Sequence, residues 1–310
     1  MRPRVGWVTV FAVTGVAALA GCGGGGGGSG RATPHRPAAA SQESRVVVIV
    51  MENREYDRIV GNPKAPYLNR LIREGGLATR FYGTQHPSLP NYIALTSGST
   101  FTIRSDCKYC HIKATNIVDQ LEAARISWKA YIEDMPTFCY GGAVAGPYAK
   151  KHNPFAYYDT ITEDPARCRR VVPATELGGD MRTSRLPRFV WITPNLCNDM
   201  HDCKIRDGDR YLAGLVPPLL RSLGPHGFLA ITWDEGSSDK GCCRYAVGGH
   251  IATLLAGPDV RPGGRSARPA DHYSLLRTIE QAFGLRPLRR AACPCSPPLD
   301  DLFVRPPGPR

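Results

Sequence analysis

Residues 45–51 read RVVVIVM and run directly into Glu52-Asn53. An unbroken β-branched stretch with no polar alternation describes a strand buried on both faces, and such strands belong to parallel sheets covered by helices on each side. Working outward, 66–74 (PYLNRLIRE) carries apolar residues at helical spacing and stops at Gly75-Gly76, after which LATRFYG reads as a short strand. The same kind of pattern predicts a helix near 116–125, strands at 127–132 and 188–193, and a helix near 211–223. Strands at 228–233 and 251–256 and an amphipathic helix over 272–283 follow. Strand and helix alternating at these lengths predict an α/β domain, a mostly parallel central sheet with helices on both faces.

Upstream of this domain, residues 1–22 place Arg2 and Arg4 ahead of an apolar stretch, 5–20, that closes on small residues. That pattern is an export signal and not a fold element. LAGC at 19–22 has the form of a bacterial lipoprotein cleavage box, which makes Cys22 the expected lipidated residue; an ordinary signal peptide cut nearby is the alternative. Residues 23–44, opening on a glycine run, have no apolar periodicity and read as a flexible tether. The domain is expected over 45–290, with a Pro/Arg-rich C-terminal tail at 291–310. The expected location is extracytoplasmic, either secreted or held to the cell membrane by the lipid, and no second apolar segment is long enough to cross a bilayer.

Beyond Cys22 the chain holds ten more cysteines, an even number that in an exported chain points to disulfides. Zinc ligation by Cys107/Cys110 and Cys293/Cys295 is the competing account, but a C-x-C pair and the adjacent Cys242-Cys243 do not match ligand spacing. A formal charge of +12 with 39 Lys and Arg favours anionic substrates and surfaces. The arginines are scattered and not gathered into one basic helix, so nucleic acid is not an expected partner.

Sheets of this kind bind ligands in the crevice beyond the carboxyl ends of their strands, so the polar residues following each strand are the candidates. Glu52 and Asn53 are hard oxygen donors suited to a divalent ion, although Asn53 or Asp57 could equally cap the next turn. In HPSLPN (86–91), Ser88 falls in or just ahead of the first turn of a buried helix. Free N–H groups there favour an alkoxide or a phosphate oxygen, and an N-cap is the plain alternative. TPNLCNDMHDC supplies Asn195, Asp199, His201 and Asp202. TWDEG supplies Asp234 and Glu235, adjacent carboxylates that repel each other unless a cation or proton lies between them. GGH sets His250 ahead of the strand IATLLAG, with glycines that allow close backbone approach. His152 in KHNPF and His272 in DHYSLL complete the set; taken singly, each is more often a hydrogen-bonded structural histidine.

In order along the chain, VVVIVMENREYDRIVGNPKAPYLNRL, TQHPSLPNYIALTSGS, ITPNLCNDMHDC, TWDEG with the later GGH, and DHYSLLRTIEQAFGL span nearly the whole domain. They resemble the signature blocks of the bacterial phosphoesterase family that includes acid phosphatases and phospholipases C, within the alkaline phosphatase superfamily. The resemblance implies an alkaline-phosphatase-like sheet and metal-dependent hydrolysis of a small-molecule or phospholipid phosphate ester. It further implies Glu52 and Asn53 as metal ligands, Asp234 and Glu235 as a second ligand pair, and Ser88 as the nucleophile beside the metal. Asn91 would bind a phosphoryl oxygen, and Asp199 and His201 match a third block more loosely. His86 or His152 could protonate the leaving group, since imidazole titrates in the useful range. Zinc-dependent members commonly show Asp at the position of Glu52 and Asp-His at Asp234-Glu235. An oxygen-rich set here favours calcium, magnesium or manganese over zinc. Monoester and diester substrates both remain open. A non-catalytic surface binding module on a degenerate fold is the alternative, and it is disfavoured because no expected ligand or nucleophile position is missing. A sulfatase-like reading lacks the CxPxR setting it needs.

Overall fold

The computed structural model describes residues 43–309, so the export segment, Cys22 and nearly all of the expected tether lie outside the described residues. The strands are β1 (Val46–Met51), β2 (Gly76–Tyr82), β3 (Trp128–Ile132), β4 (Val144–Ala145), β5 (Tyr148–Ala149) and β6 (Val171–Pro173). They continue with β7 (Phe189–Thr193), β8 (Phe228–Trp233), β9 (His250–Ala256), β10 (Gly264–Ser266) and β11 (Ala270–Asp271). Helices α1 (Tyr56–Ile59), α2 (Pro66–Glu74), α3 (Ser88–Ser97), α4 (Ile117–Ala123) and α5 (Asp159–Thr162) alternate with them. The later helices are α6 (Pro165–Cys168), α7 (Thr175–Arg182), α8 (Ile205–Ser222) and α9 (His272–Ala282).

A nine-stranded sheet in the order β10-β2-β9-β8-β1-β7-β3-β6, with β11 beside β2, forms the centre. β1 lies parallel to both β7 and β8, and β3 lies parallel to both β6 and β7. The mostly parallel sheet read from the sequence is therefore present. β9 is reversed against β2 and β8. Parallel neighbours need a crossover, usually a helix, and the segment between β8 and β9 contains none, so the chain turns back antiparallel. β1, β7 and β8 are buried along their whole lengths, as strands covered on both faces must be. α2 and α7 pack on α8, and α3 packs on α9. Among the described residues no helix is long and apolar enough to cross a membrane.

Three expectations are corrected. The helix expected near 211–223 starts at Ile205 and reaches back to the loop after β7. The short elements β6 and α7 were not foreseen: β6 is only three residues, and Gly178-Gly179 weaken the helical signal of α7. Part of the segment read as a C-terminal tail packs onto the body, with Leu299, Leu302 and Phe303 buried and the Phe303 ring 5.4 Å from that of Phe228. All ten described cysteines are paired, as Cys107–Cys110, Cys139–Cys168, Cys197–Cys203, Cys242–Cys243 and Cys293–Cys295.

Candidate active site

β1, β7 and β8 end side by side, and short backbone bonds lock their loops together. The Glu52 N–H donates to the Asp199 carbonyl (2.9 Å) and the Asp234 N–H to the Met51 carbonyl (3.0 Å). The Asn53 N–H donates to Asp234 Oδ1 (3.1 Å) from a left-handed backbone, φ 44°, a conformation that Asn tolerates better than most residues. Since β9 is reversed on both sides, β2 points the same way as β1, and the loop after it carries Ser88, the first residue of α3, into the same rim. Ser88 Oγ lies 3.1 Å from Glu52 Oε2 and 3.3 Å from Glu235 Oε1, fully buried. The glycines before β9 serve close approach: a Cβ on Gly249, whose φ is +88°, would stand 2.6 Å from the Gly236 Cα.

The site gathers more negative charge than it neutralises. Glu52, Asp199, Asp234 and Glu235 are all buried. His152 is sealed between two of them, its Nε2 3.1 Å from Glu52 Oε2 and its Nδ1 3.4 Å from Asp199 Oδ2. Burial disfavours the imidazolium, but the two carboxylates outweigh it and push His152 up to about 9. Burial would raise Glu52; the charge and hydrogen bond of His152, helped by the Tyr92 hydroxyl, hold it below the ordinary carboxylate value. Asp234 has no such partner, and burial followed by the charges of Glu52 and Glu235 drives it well upward. Burial likewise raises Glu235, partly offset by His86, and lifts Asp199 to about 6 against the pull of His152.

Asp234 Oδ2 is buried with no partner, and His152 Nε2 and Asp199 Oδ2 have only the ion-pair contacts with Glu52 and His152, short of good hydrogen-bond geometry. Such atoms are expensive unless an ion or a ligand satisfies them. Glu52, His152 and His201 each offer a ligand atom, all within 4.8 Å of one another. His201 Nδ1 is engaged by Asp202 Oδ1 at 2.6 Å, which turns the other ring nitrogen toward the cluster as metal-binding histidines commonly do. The end of the Asn53 side chain reaches 2.6 Å from Glu52 Oε2 and 3.2 Å from Asp234 Oδ1. With its nitrogen inward it donates to both carboxylates; with its oxygen inward three oxygens converge, an arrangement stable only around a cation. The donor set fits a divalent metal ion.

A family model described as the phosphoesterase family matches residues 62–286. The chain belongs to this family. Similar to it are a phosphatidylinositol-3-phosphatase of Mycobacterium tuberculosis, 31% identical over 84% of this chain and 83% of that protein, and a phosphate-repressible acid phosphatase of Penicillium chrysogenum. The latter is 30% identical over 80% of this chain; the chain spans 61% of its length. Among solved structures, a Vibrio parahaemolyticus protein of the alkaline phosphatase superfamily superposes with a TM-score of 0.54 at 14% identity, covering 84% of this chain and 72% of that one. That likeness shows the fold. Family membership makes the chain an enzyme of phosphoric ester hydrolysis.

In this phosphoesterase the sequence candidates separate into two groups. Glu52, Asn53, Ser88, Asp234, Glu235, His86, His152, Asp199 and His201 converge on the rim. His86 Nδ1 is bonded to Glu235 Oε2, and its side chain is about one-third exposed at the mouth. Asn91 corrects an expectation. Its Oδ1 accepts from the Thr84 and Gln85 N–H groups (2.8 and 3.1 Å), and its Nδ2 donates to the Gln85 and Pro87 carbonyls, so it staples the loop ahead of α3 and has no donor left for a phosphoryl oxygen. His250 stays outside, stacked on Tyr56 at 4.3 Å with its Nε2 2.9 Å from the Thr79 carbonyl. His272 is buried behind the site between Thr84 Oγ1 (3.1 Å) and the Trp233 carbonyl (3.1 Å), where burial lowers it to about 4. Asn195 caps its own loop through the Cys197 and Asn198 N–H groups.

Three residues went unnoticed in the sequence. Tyr92 donates its hydroxyl to Glu52 Oε1, and its place four residues after Ser88 on one helix, hence on the same face, was the available signal. Asp106 accepts the Leu89 N–H at 2.9 Å, and Lys151 Nζ lies 3.1 Å from Asp106 and 3.5 Å from His201 Nε2. Two imidazoles, those of His152 and His201, thus stand with the oxygen donors read from the sequence.

Proposed function

We propose that this domain hydrolyses phosphate monoesters by a two-step displacement on Ser88, beside a divalent ion held by Glu52, Asn53, Asp234, His152 and His201. The observation that carries the reading is the meeting of Ser88 Oγ with Glu52 and Glu235 at 3.1 and 3.3 Å, among buried polar atoms with no other partner. When bound, such an ion supplies Lewis-acid neutralisation of charge and lowers the pKa of a nearby hydroxyl. Ser88 Oγ forms the bond to phosphorus and the ester P–O bond breaks, while the serine proton passes to one of the carboxylates it faces. The departing oxygen takes its proton from His86 at the mouth, since His152 is sealed between Glu52 and Asp199 among the groups that would hold the ion. Water then attacks phosphorus, the Oγ–P bond breaks, and inorganic phosphate leaves with Ser88 reprotonated. The N–H groups of the first turn of α3 favour the charge developing there.

The monoester preference leans on the relatives, which are named phosphatases. The mycobacterial name makes an inositol-lipid monoester a substrate to assay. Export, with a lipid at Cys22, belongs to the same reading: five disulfides suit an oxidising compartment.

The test is hydrolysis of nitrophenyl phosphate and bis(nitrophenyl) phosphate with and without chelator, on wild type and Ser88→Ala. Ser88→Ala should lose at least about 10⁴-fold in kcat with an unchanged melting curve, and chelator should abolish turnover until manganese or zinc is returned. Near-normal turnover by Ser88→Ala sinks the nucleophile; chelator-resistant turnover sinks the metal.

A further inference from the structure

Lys150 and Lys151 are adjacent in sequence and part company in space. Lys150 Nζ turns away from the rim, donating to the Lys108 carbonyl (3.1 Å) and lying 4.6 Å from the Tyr157 ring. Lys151 turns in. Its ammonium pairs with Asp106 Oδ2 at 3.1 Å and stands 3.5 Å from His201 Nε2, with the side chain only one-quarter exposed. Asp106 uses its other oxygen to accept the Leu89 N–H, the residue after Ser88. One carboxylate therefore fixes the ammonium against the first turn of the helix that carries the nucleophile. The other cation nearby is spent elsewhere: the Arg54 guanidinium donates to the Cys203 carbonyl at 3.1 Å and to the Met200 carbonyl.

We propose that Lys151 is a substrate-binding residue that selects the dianionic monoester phosphoryl group over a monoanionic diester, by placing a fixed ammonium beside the phosphoryl oxygens at the N-terminus of α3. The proposal rests on the Ser88 reading above and adds the substrate's charge state to it. A phosphoryl group entering a rim lined by Glu52, Asp199, Asp234 and Glu235 meets like charge on several sides, and a monoester brings one negative charge more than a diester. A divalent ion stabilises the oxygens it meets in either ester; a point cation held at the remaining non-bridging oxygens adds a preference for the ester that carries the additional charge there. Asp106 acts through Lys151 as a positioning residue, and the Leu89 N–H keeps it from swinging away when the ammonium turns to substrate.

The experiment compares wild type, Lys151→Met, Lys151→Gln and Lys151→Arg on nitrophenyl phosphate and bis(nitrophenyl) phosphate, each metal-supplemented. A second readout measures binding of inorganic phosphate by calorimetry to the same variants in a Ser88→Ala background. The neutral variants should lose roughly 10- to 100-fold in kcat/KM on the monoester, mostly in KM, and less than about threefold on the diester. Phosphate binding should weaken in parallel, and Lys151→Arg should restore most of both. Should Lys151→Met fail to fold, Lys151→Gln keeps a donor toward Asp106 and serves in its place. Equal losses on both esters, or unchanged phosphate binding, overturn the selector role while leaving Ser88 untouched. Ester turnover that survives Ser88→Ala overturns the underlying reading instead.

Discussion

Glu280 carries a prediction that involves neither metal nor substrate. It sits on α9 with its side chain buried; Oε1 accepts the Leu288 N–H at 2.8 Å and Oε2 has no partner. Burial, only partly offset by that hydrogen bond and by the charge of Arg277, raises this carboxyl from the ordinary 4.5 to about 8. The sign follows from linkage. In the unfolded chain Glu280 gives up its proton near the ordinary value, whereas the folded chain holds it until about 8. Its contribution to stability is thus fully present below the unfolded value and is lost progressively as pH climbs to the folded one. At about 1.4 kcal/mol per pH unit, the interval up to pH 7.5 corresponds to about 4 kcal/mol; local relaxation and water entry should leave roughly half of that. Glu280→Gln removes the titration. Its amide also leaves a donor unsatisfied, so the diagnostic quantity is the pH slope and not the absolute stability. Urea melts of wild type and Glu280→Gln at intervals from pH 5 to 8 should show the wild type losing roughly 2 kcal/mol more than the variant across that range, with nitrophenyl phosphate turnover alike. Parallel curves would show that the buried carboxyl does not resist ionisation. Asp271, which burial lifts to about 6, adds to the same trend at lower pH.

Further outcomes concern the rim. His86→Gln should slow hydrolysis of alkyl phosphates by roughly 10²-fold or more while sparing nitrophenyl phosphate, because nitrophenolate departs without a proton; equal losses on both would remove His86 as the acid. Tyr92→Phe strips Glu52 Oε1 of its buried donor and should cost roughly 1–3 kcal/mol in metal-free melts, with less of a deficit once metal is added. An unchanged melting curve would show that the Tyr92 hydroxyl is not needed to hold Glu52. Chelator should lower the melting temperature of wild type as well as its activity, since on the proposed reading an ion sits among His152, Asp199 and Asp234; a melt indifferent to chelator would argue against an ion there.

What the sequence disclosed and what it hid have separate physical causes. RVVVIVM and FLAITW could be placed because buried parallel strands are continuous apolar runs, and the groups following them, Glu52-Asn53 and Asp234-Glu235, could be placed because loops at strand ends line the crevice. Adjacent carboxylates at 234 and 235 signalled, by repulsion alone, that a cation or a proton lies between them. The fate of Asn91 was hidden because an amide reads the same whether it faces a substrate or the four backbone groups of its own loop. His152 was visible as a residue and invisible as a ligand. Nothing in KHNPF shows that the segment following the β4–β5 hairpin returns to the end of β1, and that return decides whether the site is an all-oxygen nest or one with two imidazoles.

The metal, the acid and the ammonium then form one argument about charge. Four buried carboxylates on one rim are unstable unless something positive joins them; the chain itself supplies His152, which reaches Glu52 and Asp199, while Lys151 pairs with Asp106 alongside, and Asp234 Oδ2 is left unsatisfied. On the proposed reading the balance is completed from outside, by a divalent ion. The same excess of acid that recruits the ion would repel a doubly charged phosphate, so an enzyme working on monoesters needs a fixed cation on the approach side, beside the nucleophile and not beneath it. Lys151, held to the α3 N-terminus through Asp106, occupies that side. Ion and ammonium should therefore be separable by experiment: chelation should silence both ester classes together, whereas neutralising Lys151 should divide them.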